Sequence, residues 1–453
     1  MNGSVGTTLG LVLFGIAIPA IGQEVLQPDS RAALKAEMET LRQRLSALES
    51  RLEKLESPHE NRAAPAVPAA PAPVTAQADE SHLGTNIELY GFAQIDAIQD
   101  FDRVHPDWED TLRPSVIPTT EGLYGGRGRF TAGVRQSRLG VKATRTTEYG
   151  DAFVNLEADM FGVGQNAGQT TLRLRHAYGQ LGPFLAGQTN SLFVDGDVFP
   201  NVLDYWGPTG LALFRTVQFR WTPFSGRNSL AFAIEDATDS IDTGRFGRQF
   251  PDFGEHAQGR NRYPDVSAQF RMNRSWGHFQ ASGLLRRIGF ETAGTPGNEP
   301  RGNATAYGLS LTSTMSFAER DRLVMSALGG RGIANYMNDG GVDLVPDDSP
   351  PGVIPDAVAL PLWAGVLYYD RWWNQHWSSS LGYSFVQVDN TNNQTADAYH
   401  KGEYASVNLI NRPSAAFLIG AEYLWGRRTD HDGASSSDRR LQLTVKYSFS
   451  NKD

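Results

Sequence analysis

GQTNSLFVDGDVFPNVLDYWGPTGLALFRTVQFR, residues 187–220, decides the fold because it breaks a rule that the chain keeps on both sides. Before it, Leu172 and Leu174 alternate with polar residues, and at its end Val217, Phe219 and Trp221 do the same. A two-residue period marks strands with one apolar face. Between these flanks the sequence follows neither that period nor a helical one, and it carries Asp195, Asp197 and Asp204 beside Tyr205, Trp206 and the pair Gly207-Pro208. A long aperiodic loop in a regular β-protein is usually functional or disordered. So many large apolar residues argue against disorder. The stretch therefore reads as a constriction loop, at about 189–214, that folds into the lumen of a β-barrel.

Outward from this loop the alternation continues. Ile87, Leu89, Gly91, Ala93, Ile95 and Ala97 share one face of a first strand; Val266, Ala268, Phe270 and Met272 repeat the pattern, as do Phe417, Ile419, Ala421, Tyr423 and Trp425. Alternation alone suits a soluble sandwich equally well. The connections separate the two readings. Short turns at 148–150, 181–183, 223–227, 273–275, 318–320, 373–375 and 411–414 alternate with long linkers, including 102–126, 236–263, 333–358 and 427–437. Long/short alternation is the pattern of outer-membrane barrels, with tight periplasmic turns and larger external loops. The fold class is all-β: an antiparallel transmembrane barrel of about 16 strands, wide enough for an aqueous channel. Trp221, Trp276, Trp372, Trp373 and Trp377 fall beside the short turns, where an aromatic girdle meets headgroups.

The bulk numbers agree. The net charge of −9 offers no basic field for nucleic acid, and the absence of cysteine removes disulfides and thiolate metal sites. After residue 25 no apolar run reaches the roughly 18 residues of a membrane helix, so membrane entry requires a closed barrel. No G-x-S-x-G and no H-x-x-x-H occurs, so no catalytic residue, metal ligand or cofactor is assigned. The acidic run Asp339, Asp343, Asp347 and Asp348 reads as a solvated loop in preference to a divalent-cation site.

The N-terminal quarter is different. Residues 1–22 read as a signal peptide with an apolar core at Leu9–Ile21, although residues 1–8 carry no Lys or Arg. Within 23–57, Leu34, Met38, Leu41, Leu45, Leu48, Leu52 and Leu55 form an a/d heptad seam, a short periplasmic α-helical coiled coil that needs strands already held together by the rest of the molecule. Residues 58–82 are Ala/Pro-rich and read as an extended linker, leaving 83–453 for the barrel.

The coiled coil and spacer, ELYGFAQIDA at 88–97, RQSRLGVKA at 135–143, LAGQTNSLFVD at 185–195, DYWGPTG at 204–210 and the terminal LQLTVKYSF together resemble the DcaP-like outer-membrane porins over nearly the whole chain. The resemblance implies a trimeric sixteen-stranded diffusion channel with an inward third loop. It further implies a basic eyelet for dicarboxylates or aromatic acids, and a barrel-assembly signal in the last strand.

Parity selects the lumen residues. Phe130, Ala132 and Val134 face lipid, and beyond Gln136-Ser137 the phase changes, so that Leu139 and Val141 face lipid while Arg135, Arg138 and Lys142 face inward. One extra residue there fits a β-bulge. Arg173, Arg175, Arg220, Arg271 and Arg286 follow the same inward rule. Guanidinium groups on adjoining strands form a basic wall that raises anion occupancy and binds carboxylates, unless Glu157, Asp159 and the loop aspartates neutralise it. The sequence thus points to a porin for small organic anions, partnered by outer-membrane lipid and lipopolysaccharide and assembled as a homotrimer. The alternative is a plugged structural barrel tied to peptidoglycan by its coil.

Overall fold

The computed structural model describes residues 84–452 except 295, 351–352 and 354–355, together with Glu39, Arg42 and Ser46, which are helical. The segments expected to be a signal peptide, a coiled-coil seam and an Ala/Pro-rich linker lie outside the described residues.

Sixteen antiparallel strands close into a barrel. They are β1 (Asn86–Asp100), β2 (Arg129–Gly133 continued by Arg138–Thr147), β3 (Gly150–Phe161), β4 (Thr170–Leu181), β5 (Phe184–Asn190), β6 (Arg215–Phe224), β7 (Asn228–Glu235) and β8 (Asp265–Arg274). The second half comprises β9 (Gly277–Thr292), β10 (Gly302–Phe317), β11 (Asp321–Arg331), β12 (Pro361–Trp372), β13 (Trp377–Val388), β14 (Tyr399–Ser414), β15 (Phe417–Asp430) and β16 (Ser435–Ser450). Each strand pairs with its chain neighbour, and β1 pairs with β16 (Gly91 with Phe449, Ile95 with Val445), so no strand edge is left bare.

The alternation turns into two surfaces. Leu172, Phe219, Leu309, Leu367 and Leu443 are exposed on the outside, as lipid-facing positions are, while Gln94, Asp96, Gln218, Ser282 and Gln442 are buried inside. Trp221, Trp276, Trp373 and Trp377 are exposed on the outer face near the short turns. The expected phase change in β2 is real: β1 pairs with Arg129–Gly133 through its second half and with Arg138–Thr147 through its first, and the four residues 134–137 bulge between them. One linker differs from expectation. Residues 427–430 and 435–437 continue the β15–β16 ladder, which leaves only 431–434 as a turn.

β5 is seven residues long because the chain leaves the wall at Ser191. Loop 3 (191–214) then crosses the lumen and is closed at its base by Ser191 N–H donating to the Phe214 carbonyl at 3.0 Å. Loop 1 (101–128) and loop 6 (332–360) enter with it. Phe193 and Val194 of loop 3 share a buried cluster with Ile333, Tyr336 and Met337 of loop 6 and with Leu284, Leu328, Ala364 and Val386 of the wall. Val198 and Leu211 pack with Leu112 and Ile117 of loop 1 against Tyr368 and Tyr404. The apolar core of this barrel is therefore a plug of three loops, displaced to one side of the lumen.

Gly210 shows how tightly loop 3 is seated. A Cβ there would lie 2.6 Å from the carbonyl oxygens of Gly365 and Phe385 on β12 and β13. Backbone cannot yield as a side-chain tip can. Gly210→Val is expected to lift this segment from the wall at a cost of about 1–3 kcal/mol, read as a lower temperature for loss of the folded band on gels and as altered single-channel conductance.

Candidate functional site

Beside the plug an internal cavity of about 880 Å³ remains open. Arg138 on β2, Arg173 and Arg175 on β4, Arg215 at the start of β6, Arg412 on β14, Lys446 on β16 and Arg113 of loop 1 line it, and Asp204 is the sole carboxylate residue among its lining residues. Local backbone irregularity gathers the first group. Glu157 pairs with His176 and Ala158 with Leu174, so Arg175 is the extra residue of a bulge in β4.

On that side the charges are compensated. Arg173 grips Asp159 through two bonds of 3.0 and 2.7 Å, and Arg175 bridges Glu157 at 2.7 Å and Asp159 at 2.9 Å. Arg138 lies 3.5 Å from Glu157. The Tyr205 hydroxyl sits among Arg173, Arg175 and Asp159, and its ring stacks on Phe161 at 4.1 Å and 6°. Tyr205 thus pins loop 3 to the basic wall. Trp206 donates its indole N–H to the Asn338 carbonyl at 2.6 Å, and the Arg113 guanidinium lies 4.1 Å from the Trp108 ring and 4.9 Å from the Trp206 ring while bound to Asp339.

Flanking this group, three further cations are not compensated. Among the described residues Arg215, Arg412 and Lys446 form no ion pair. Arg412 donates to Ser378 and Asn201 at 3.1 and 3.0 Å, and the Lys446 ammonium lies 5.0 Å from the Phe92 ring.

The other sequence-derived positions scatter. Arg135 is buried and bound to Asp110 at 2.5 Å; Lys142 faces Glu88 at 3.7 Å, near the short-turn end. Arg220 donates to Gln218 and to the Asn190 carbonyl. Arg271 holds Asp195 at 3.2 Å and Asp197 at 2.5 Å. Arg286 is fully buried beneath the loops, bound to Asp265 at 2.8 Å and Asp343 at 3.2 Å. The acidic residues of loop 3 do not meet the Arg173–Arg175 wall. Burial raises the Asp195 carboxyl, but hydrogen bonds from His278 and Thr312 together with the nearby Arg271 charge hold the group below its ordinary value. Asp204 accepts from Thr111 at 2.6 Å and from the Leu112 and Gly207 amides at 3.2 Å. Asp339 and Asp343 are buried and ion-paired, against the solvated loop expected for that run.

Lys446 and Arg412 were legible: parity against Val445 and Tyr447, and against Val407 and Leu409, assigns both to the lumen. Arg215 was not. Its parity is that of Val217 and Phe219, which face lipid, and only its place at the loop 3 junction turns it inward.

A family model described as DcaP outer membrane protein matches residues 73–449. The chain belongs to the DcaP outer membrane protein family. Among solved structures, the outer membrane channel DcaP of Acinetobacter baumannii aligns with a TM-score of 0.68 at 20% identity, covering 82% of this chain and 99% of that one. The anion-selective porin from Comamonas acidovorans aligns at 0.53 and 10% identity, over 81% and 100%. A loop L8 deletion mutant of the Vibrio cholerae outer membrane protein OmpT aligns at 0.50 and 12%, over 81% and 99%. At these identities the likeness is one of fold. No protein of curated function matches the chain. This DcaP-family barrel is an outer-membrane channel.

Two measurements test the site. Removing a partner from a buried pair leaves an uncompensated charge at about 3–5 kcal/mol, so Arg286→Ala is expected to abolish or sharply lower the yield of folded barrel. Any folded Arg286→Ala protein should keep wild-type ion selectivity, since that arginine lies outside the cavity. Burial pushes the Asp204 carboxyl up to about 6, from 3.8 in an unfolded chain. Between these values the folded protein holds the proton more tightly. Loop 3 docking should therefore strengthen as pH falls from 7.5 to 5, and weaken as pH rises through 6. Thermal unfolding at the two pH values, with Asp204→Asn reducing the difference, checks the sign.

Proposed function

We propose that this channel is a passive, weakly selective porin that favours small organic anions, dicarboxylates and aromatic acids among them. The observation that carries the reading is the imbalance of the cavity lining: seven basic residues face one buried carboxylate residue. Glu157 and Asp159 neutralise one wall, but Arg215, Arg412 and Lys446 keep their charge for a solute. In a narrow, water-filled lumen such charges raise the local anion concentration. The aromatic surfaces of Trp108, Tyr205 and Trp206 on the same cavity suit an acid that bears a ring. A homotrimeric assembly is supported by the heptad seam, which is too short to pair unless the barrels already hold the strands together.

Reversal potential in a KCl gradient across planar bilayers tests the selectivity. Wild-type channels are expected to prefer chloride. Each cation contributes on the order of 1 kcal/mol to anion binding at this range in a high dielectric, so Arg215→Ala with Arg412→Ala should lower the chloride-to-potassium permeability ratio several-fold. A wild-type preference for potassium would overturn the proposal. Liposome swelling across dicarboxylates, aromatic acids and sugars then ranks the solutes.

A further inference from the structure

A second basic cluster lies on the outer wall, away from the channel. The outward positions of β9 run Phe279, Ala281, Gly283 and Leu285, the last of these well exposed as a lipid-facing side chain is. Arg287 is the next outward residue toward the long-loop end, about 7 Å further along the strand. Neighbouring strands keep the same order, with Tyr307 and Leu309 on β10 and Val266 on β8 exposed at the corresponding level. The apolar band therefore ends here, and above it come guanidinium groups in place of the mixed polar residues of an ordinary loop.

Arg260, Arg262, Arg287 and Arg301, with Tyr263 and Asn303, line a concave site of about 420 Å³. The next outward position on β9, Gly289, is buried, because the Arg260 and Gly302 carbonyl oxygens lie 2.8 Å from where a Cβ would stand. The Arg260 amide bonds the Gly289 carbonyl at 2.8 Å, and Asn303 pairs with Gly289 from the other strand. Two of the four arginines have partial carboxylate partners: Arg260 with Glu291 at 3.0 Å and Arg301 with Glu299 at 3.1 Å. Arg287 donates to the Thr305 hydroxyl at 2.7 Å. Arg262 is exposed and forms no ion pair among the described residues. The cavity thus carries an excess of positive charge, at the depth where acyl chains give way to headgroups, with the exposed ring of Tyr263 at its edge.

We propose that this site binds the phosphorylated sugar headgroup of an outer-leaflet glycolipid of the lipid A type. The chemistry fits in three ways. Guanidinium forks bind phosphate bidentately. The excess of charge demands an anion. The acyl chains of a lipid held there would lie down the exposed apolar face of β8 to β10, which a free phosphate could not use. Attraction of a basic residue to an anionic headgroup layer corresponds to about a fivefold gain in binding for each residue.

The full-length protein in nanodiscs, titrated with bisphosphorylated lipopolysaccharide and followed by native mass spectrometry, tests the assignment. The double variant Arg262→Ala, Arg287→Ala is expected to bind about 25-fold more weakly than wild type. A glycolipid stripped of phosphate should bind both proteins equally weakly, and millimolar inorganic phosphate should fail to displace the intact lipid. Unchanged single-channel conductance certifies that the variant barrel is folded; if the double variant does not fold, the single exposed change Arg262→Gln should still weaken binding severalfold. Equal binding by wild type and folded variant overturns the proposal. So does retention of the phosphate-free lipid, and displacement by inorganic phosphate would reassign the site to the free anion.

Discussion

Hydrocarbon offers no partner for a peptide N–H or C=O, and nearly everything in this structure answers that constraint. The wall must close, as it does through the β1–β16 ladder, and its outer face must be apolar at every second residue. The inner face is then free to be polar. A closed wall of sixteen strands encloses more space than its own side chains can fill. The lumen is therefore shaped by chain that has left the wall, and loops 1, 3 and 6 supply it. Their apolar residues form the only core of the usual kind among the described residues, and it lies against one side of the barrel because the other side is lined by arginine.

The balance between paired and unpaired charge gives the channel its character. Glu157 and Asp159 do more than cancel Arg173 and Arg175; with Tyr205 they lock those side chains in one geometry, beneath a loop that would otherwise be repelled or drawn in by them. The uncompensated cations flank that group along the wall, Arg412 and Lys446 on β14 and β16 before it and Arg215 on β6 after it. A solute passing through would meet fixed charge in the middle of this basic arc and responsive charge at its two ends.

What could be read from the sequence follows from what leaves a periodic trace. Strands did: a residue pair such as Leu172 and Leu174, or Phe417 and Ile419, declares a face. The constriction loop declared itself by breaking the period, and the bulge in β2 by the phase change at Gln136-Ser137. Loop 6 left no comparable mark. Its acidic run looked solvated, since nothing local shows that Asp339 will meet Arg113 of loop 1 or that Asp343 will meet Arg286 of β9. Pairings between loops distant in sequence are set by the closed wall, which brings remote strands together. Parity could assign Arg286 to the inside, but inside proved to be two places, an open cavity and a packed plug. Only the path of the loops separates them.

The fastenings of loop 3 carry a consequence for how such a barrel is made. The amides of Leu203 and Asp204 donate to Glu422 on β15 at 2.6 and 2.8 Å, and the Leu203 carbonyl accepts from Gln442 on β16 at 3.1 Å. These partners lie more than 200 residues downstream, in the last two strands to enter the sheet in chain order. A growing barrel that holds only its earlier strands has no place to tie the loop. The passage is therefore at its widest while the wall is incomplete, and the act that seals the seam is also the one that sets the bore.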